Sequence, residues 1–159
     1  MFDHVLVPLD HSSLAEAALG YARHMVDVNG RITLLTVVDA PENDDPVEHV
    51  SPGLTTMASM PVAIKQNARV QAENYLNQVV YRVQKLHLDV NTIVQIGLPA
   101  DVIVDTARNL GVKVIVMSTH GRTGLGRWIY GSVTQKVLSA APCPVLVIPS
   151  RVQPHEAES

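Results

Sequence analysis

Four of the nine glycines, Gly121, Gly124, Gly126 and Gly131, fall within eleven residues, between an apolar run ending at Met117 and the segment Ser132-Val133-Thr134. Glycine lets backbone N–H groups approach an anion with no Cβ in the way. A helix start adds unpaired N–H donors and a dipole that favours negative charge. Ser132, Thr134 and either Ser118 or Thr119 bring hydroxyl donors for phosphate oxygens, and Arg122 and Arg127 bring charge. The same pattern fits a plain loop followed by a capped helix, and spacing alone does not decide between the two. A second polar group, Pro8-Leu9-Asp10-His11-Ser12, closes the first apolar run. There Asp10 is either a ligand contact or a helix cap shared with Ser12 and Ser13.

Familiar fingerprints fail on this chain. Gly121-x4-Gly126 begins like a P-loop, but Arg127-Trp128 stands where Lys and Ser/Thr belong. The dinucleotide pattern needs a glycine at 129, which is Ile129, and should follow the first strand instead of the fourth. There is no Gly-x-Ser-x-Gly elbow and no Ser-His-Asp order. The seven histidines, at 4, 11, 24, 49, 87, 120 and 155, are dispersed and form no metal-ligand spacing. The single cysteine, Cys143, lies between prolines before an apolar run and reads as a small buried hydrophobe. No general base or nucleophile stands out, so no catalytic residue and no protein-held metal is assigned.

The elements that must position these groups alternate along 159 residues, a length suited to one domain. Runs at 2–8, 31–38, 90–96, 113–117 and 144–148 are near-continuously apolar, as in strands covered on both faces. Between them lie four helical patterns. The first is capped by Ser12 or Ser13, carries Leu14, Ala18, Tyr21 and Met25 on one face, and stops at Asn29-Gly30. The second starts near Pro61 and continues through Ala72, Leu76, Val79, Val83 and Leu86. The third starts at Pro99, turns Ile103, Ala107 and Leu110 inward, and ends at Gly111. The fourth starts near Gly131-Ser132 with Val133, Val137 and Ala140 on one face, and Pro142 ends it. This order predicts an α/β, Rossmann-like, doubly wound parallel sheet of five strands with helices on both faces. Residues 39–60 form a long loop with three prolines, and 151–159 form a polar tail, leaving 1–150 as the domain.

A net charge of −3 argues against a bulk-charge binder of nucleic acid or anionic membranes and leaves room only for a local basic patch. Its N-terminus has no basic region followed by a long apolar one, and its longest apolar runs of about six residues fall short of the ~20 that span a bilayer. A cytoplasmic protein is the expectation.

Gly121-x9-Gly131-Ser132, after Met117-Ser118-Thr119-His120, resembles the ATP-binding branch of the universal stress protein family, whose motif is Gly-x2-Gly-x9-Gly-Ser/Thr. Here it runs from 118 to 132. The likeness extends to Val5-Leu6-Val7-Pro8-Leu9-Asp10, Thr36-Val37-Val38-Asp39, Gly97-Leu98-Pro99-Ala100 and Ala141-Pro142-Cys143-Pro144-Val145-Leu146-Val147, nearly the whole of 1–150. One departure is Ser118 in place of the motif's first glycine.

The resemblance implies strand order 3-2-1-4-5 and an ATP site at the switch point. It assigns the phosphates to Gly121, Gly131, Ser132, Val133 and Thr134, with Ser118 nearby and Met117 lining the floor. Asp10, with Pro8 and Leu9, would face the adenosine end, Val37 would contact adenine, and Mg²⁺ would bridge the phosphates. Gly124 and Gly126 fall inside the spacer. Asp39, His11, His120 and Trp128 are left out of the site. The resemblance further implies a homodimer through the last strand, 144–149. The function expected is that of a stress-response nucleotide switch. The alternatives are a slow ATP hydrolase using Asp10 or His120, and a nucleotide-free interaction protein of the same fold.

Overall fold

The strand sequences are dominated by Val, Ile and Leu, and their side chains alternate between two helical layers. The computed structural model describes residues 1–39, 62–83, 88–119 and 131–149. In chain order these form β1 (Phe2–Pro8), α1 (Ser13–Met25), β2 (Val26–Asp39), α2 (Val62–Val83), β3 (Asp89–Gly97), α3 (Pro99–Asn109), β4 (Val114–Thr119), α4 (Ser132–Ala140) and β5 (Val145–Pro149). All strand pairs are parallel, in the order β3-β2-β1-β4-β5. Val5, Val7, Leu9, Val114 and Val116 pack with α1 and α2 residues. Leu6, Ile115 and Met117 pack with α3 and with Val137 of α4. Residues one apart on a strand thus feed opposite core layers, as the pleat requires. The expected fold class and strand order are therefore observed.

Several local expectations are corrected. α1 ends at Met25, not at Asn29-Gly30. Val26 turns extended and pairs with Phe2, and it buries its side chain under α1. Tertiary pairing outweighs helix continuation there. Between the pairs Phe2↔Val26 and His4↔Arg31 the register shifts, so β2 carries extra residues opposite Asp3. The buried face of α1 is Ala15, Ala18, Leu19 and Ala22; Tyr21 and Met25 pack at its margin and Leu14 is only partly buried. Small alanines bring the helix close to the sheet. Leu110 and Ala140, expected inward, are exposed: Leu110 is the C-cap just past α3, and Ala140 is the last residue of α4. β3 is an edge strand and much of it is exposed, so its apolar run did not signal full burial.

Other signals hold. Ser12 caps α1, its Oγ accepting the Ala15 N–H at 3.0 Å. Pro99 opens α3, and Gly111 follows it with φ +62°. Ala72, Leu76 and Val79 form the buried face of α2. Pro61, Leu86, residues 40–60 of the long loop and the 151–159 tail lie outside the described residues. Among the described residues no helix is long and apolar enough to cross a membrane.

Two predictions concern the end of the sheet around the register shift. A Cβ on Gly30 would stand 2.8 Å from Val26 Cγ2 and 2.9 Å from the Phe2 carbonyl oxygen. Gly30→Ala should therefore cost about 1–3 kcal/mol in urea unfolding. Nearby, His4 Nε2 lies 2.8 Å from Thr33 Oγ1. Burial, then the Arg31 charge, lowers the His4 pKa below 6.5. The unfolded chain thus takes up a proton first as pH falls, so stability should drop from about pH 7 to pH 5. Thermal unfolding should show that loss, and His4→Gln should shrink it.

Candidate functional site

The central strands part company before they end. β1 pairs with β4 only through Val5↔Val114 and Leu6↔Ile115. On its other side β1 stays paired to β2 as far as Pro8↔Leu35, and the Leu9 N–H still donates to the Leu35 carbonyl at 2.8 Å. β4 likewise stays paired to β5 as far as Thr119↔Pro149. The segments Val7–Asp10 and Val116–Thr119 therefore leave their mutual ladder while their outer edges stay fixed. This is the carboxyl-end crevice where strand order reverses, the usual ligand position in an open α/β sheet.

One wall carries the start of α4. Gly131 is its N-cap with no side-chain cap, and the first helical bond runs from the Gln135 N–H to the Gly131 carbonyl at 3.0 Å. The N–H groups of Ser132, Val133 and Thr134 have no intrahelical acceptor, as helix geometry demands. The Gly131 N–H donates to Thr119 Oγ1 at 3.3 Å, which fastens this helix start to the end of β4. Sequence reasoning grouped Thr119 only with hydroxyls that donate to a ligand, so its accepting role is new. Gly131 has φ −59° and ψ 156°, and a Cβ there would meet nothing within 4 Å among the described residues. Neither backbone strain nor internal crowding calls for glycine at this place.

The facing wall is the Asp10 turn. The Ser12 N–H donates to Asp10 Oδ1 at 3.1 Å, and the Ser12 hydroxyl donates to the same oxygen. Ser12 in turn caps α1, so Asp10 supports the cap without being it. Both expected uses of Asp10 are thereby compatible. Oδ1 is committed to the turn, and the exposed carboxylate keeps Oδ2 for another partner.

The remaining predicted residues divide by what they present. Leu9 and Met117 are buried in opposite core layers, so only their backbones can meet a ligand. Pro8, Val37, Ser118 and Val133 are half-buried, Thr134 is buried, and Ser132 is exposed. Val37 packs against the α3/α4 layer near the end of β2. Its neighbour Thr36 holds a buried hydroxyl with no hydrogen-bond partner among the described residues, a feature that a β-branched run in sequence does not disclose. Gly121, with Gly124, Gly126, His120, Arg122, Arg127 and Trp128, lies outside the described residues.

Comparison with known proteins follows this geometry. The model of the universal stress protein family matches residues 1–149. Universal stress protein MJ0577 of Methanocaldococcus jannaschii is 28% identical, over 93% of this chain and 95% of its own. Its solved structure superposes with a TM-score of 0.74, covering 96% of this chain and 99% of that one. Two more distant structures share the fold at 17% identity and a TM-score of 0.62. One is a universal stress protein in complex with cAMP, matched over 92% of this chain and 96% of its own. The other is an Arabidopsis thaliana family protein with AMP bound, matched over 92% and 90%. The chain belongs to the universal stress protein family.

The Thr119–Gly131 bond can be tested without any ligand. Thr119→Val keeps the shape and removes the acceptor. It should cost about 1 kcal/mol, the net worth of one hydrogen bond. Hydrogen exchange should quicken at the Gly131 amide and in the first turn of α4, while β4 amides stay protected.

Proposed function

We propose that this universal stress protein binds an adenine nucleotide, ATP in its working form, across the β1–β4 opening, and acts as a stress-response switch instead of a dedicated enzyme. The opening carries the reading: paired strands diverge at the switch point, with free helix-start N–H groups on one side and a carboxylate on the other. Such a start suits phosphate oxygens, and a carboxylate suits the hydroxyl-bearing adenosine end. Relatives of the same fold that hold AMP or cAMP support the ligand class.

In this reading Gly131, Ser132, Val133 and Thr134, with Gly121, take the phosphates, and Ser118 lies nearby. Gly131 fits because its open side leaves room where a side chain would intrude. Asp10, Pro8 and Leu9 take the adenosine end, Val37 offers an apolar contact to adenine, and the Met117 backbone forms the floor. Mg²⁺, when bound, would neutralise charge between the phosphates. Among the described residues no three His, Cys, Asp or Glu side chains are grouped to hold a metal. β5 is a sheet edge with half-buried Val145, Leu146 and Val147. Pairing of this edge with a second copy would cover it, and the proposed unit is a homodimer in the cytoplasm.

Purified protein, denatured and analysed by mass spectrometry, should release an adenine nucleotide. Gly131→Val should abolish Mg-ATP binding in calorimetry while keeping the circular dichroism spectrum, because a Cβ there meets nothing within 4 Å among the described residues and the poorer N-cap costs only the stability of one cap. A variant that binds normally would place the phosphates elsewhere. Retained nucleotide without steady-state phosphate release supports the switch. Sustained turnover that Asp10→Ala removes supports the hydrolase, and no nucleotide with no thermal shift supports the interaction protein.

A further inference from the structure

Between Asp10 and Ser12, His11 has φ +67°, the one positive value outside glycine among the described residues. A residue with a Cβ resists that conformation unless its surroundings hold it. The His11 ring is stacked on Tyr75 of α2, with centroids 4.1 Å apart and planes 17° from parallel. Tyr75 is itself held. Its hydroxyl donates to Glu16 of α1 at 3.2 Å, and Arg82 grips the same carboxylate at 2.9 and 3.0 Å. Burial and the adjoining Glu16 charge push the Tyr75 pKa upward, so the hydroxyl remains a donor.

The arrangement links Tyr75 of α2, 64 residues beyond His11 in sequence, to the turn that aims Asp10. With Oδ1 of Asp10 occupied by Ser12, the direction of Oδ2 depends on the backbone of residues 10–12. That backbone turns on His11, and His11 leans on Tyr75. We propose that Tyr75 is a positioning residue of the nucleotide site: through its stack on His11 it holds the left-handed turn that presents the free Asp10 oxygen to the ligand. This rests on the nucleotide reading above.

Calorimetric titration with Mg-ATP, beside amide hydrogen exchange of the free protein, tests the inference. Tyr75→Ala should weaken affinity about three- to tenfold, the range an aromatic stack is worth. It should also speed exchange at the Ser12 and Ala15 amides, which donate to Asp10 and to Ser12 Oγ. Tyr75→Phe keeps the stacking ring and loses only the hydroxyl's bond to Glu16, so it should lose much less affinity and protection than Tyr75→Ala. In an Asp10→Ala background Tyr75→Ala should cost nothing more, because the carboxylate it aims is gone. His11→Ala should reproduce the loss from the exposed side of the stack, whereas His11→Gly, free to adopt positive φ, should lose less. These two variants carry the test should Tyr75→Ala fail to fold. Unchanged affinity in folded Tyr75→Ala, or an equal loss in Tyr75→Phe, overturns the positioning role alone. Wild-type protein that binds no adenine nucleotide overturns the binding reading, and the positioning role with it.

Discussion

The structure turns on where β1 and β4 stop pairing. Right-handed crossovers send the chain leaving β1 to one face of the sheet and the chain leaving β4 to the other. α1 and α2 therefore pack on one side and α3 and α4 on the other. Two adjacent strands whose successors diverge cannot both keep their ladder to the end. Pairing stops at Leu6↔Ile115, while β2 and β5 hold the outer edges of the same strands in line. The crevice is thus a consequence of topology and not of any single residue. What the local sequence adds is its lining.

Each wall is fixed by one short-range device. On the β1 side an aspartate and a serine tie the turn to the α1 cap, with Asp10 Oδ1 receiving both Ser12 donors. On the β4 side a threonine hydroxyl accepts from the first residue of α4. Both devices spend polar atoms on geometry and leave others directed outward: one carboxylate oxygen, and the first N–H groups of a helix. Groups held this way lose little further freedom on binding, which is why rigid strand ends make better sites than free loops.

Much of this was legible in sequence. Apolar β-branched runs, Ser12 as a cap, Pro99 at a helix start and the alternation of elements depend on neighbours along the chain, and they were found. What escaped was decided by distant partners. α1 stops at Met25 because Phe2 pairs with Val26, and no local signal reports that pairing. Leu110 and Ala140 followed the helical period but stand at the helix ends, one the C-cap of α3 and the other the last residue of α4, and both are exposed. The His11–Tyr75 stack joins residues with no shared motif, and a positive φ at a histidine has no signature comparable to that of glycine. The candidate site was legible to the extent that it lies on strand ends and a helix start. Its carboxylate and hydroxyls were visible, but which atoms serve the fold and which remain for a ligand needed coordinates.

The departure at Ser118 can be weighed by the same alternation. Val116 belongs to the α1/α2 layer and Met117 to the α3/α4 layer. Thr119, two residues beyond Met117, reaches the start of α4 on that same side. The pleat then directs Ser118 to the α1/α2 side, beside the strand end that leads to Asp10 and away from the helix start. A Cβ at 118 therefore takes no room from the N–H groups of Ser132, Val133 and Thr134. In the proposed reading it narrows the adenosine side, where a hydroxyl can also serve as a donor or acceptor. In that reading a serine here would bear on how the nucleoside is held, and would leave the phosphate-facing half of the motif as a glycine does.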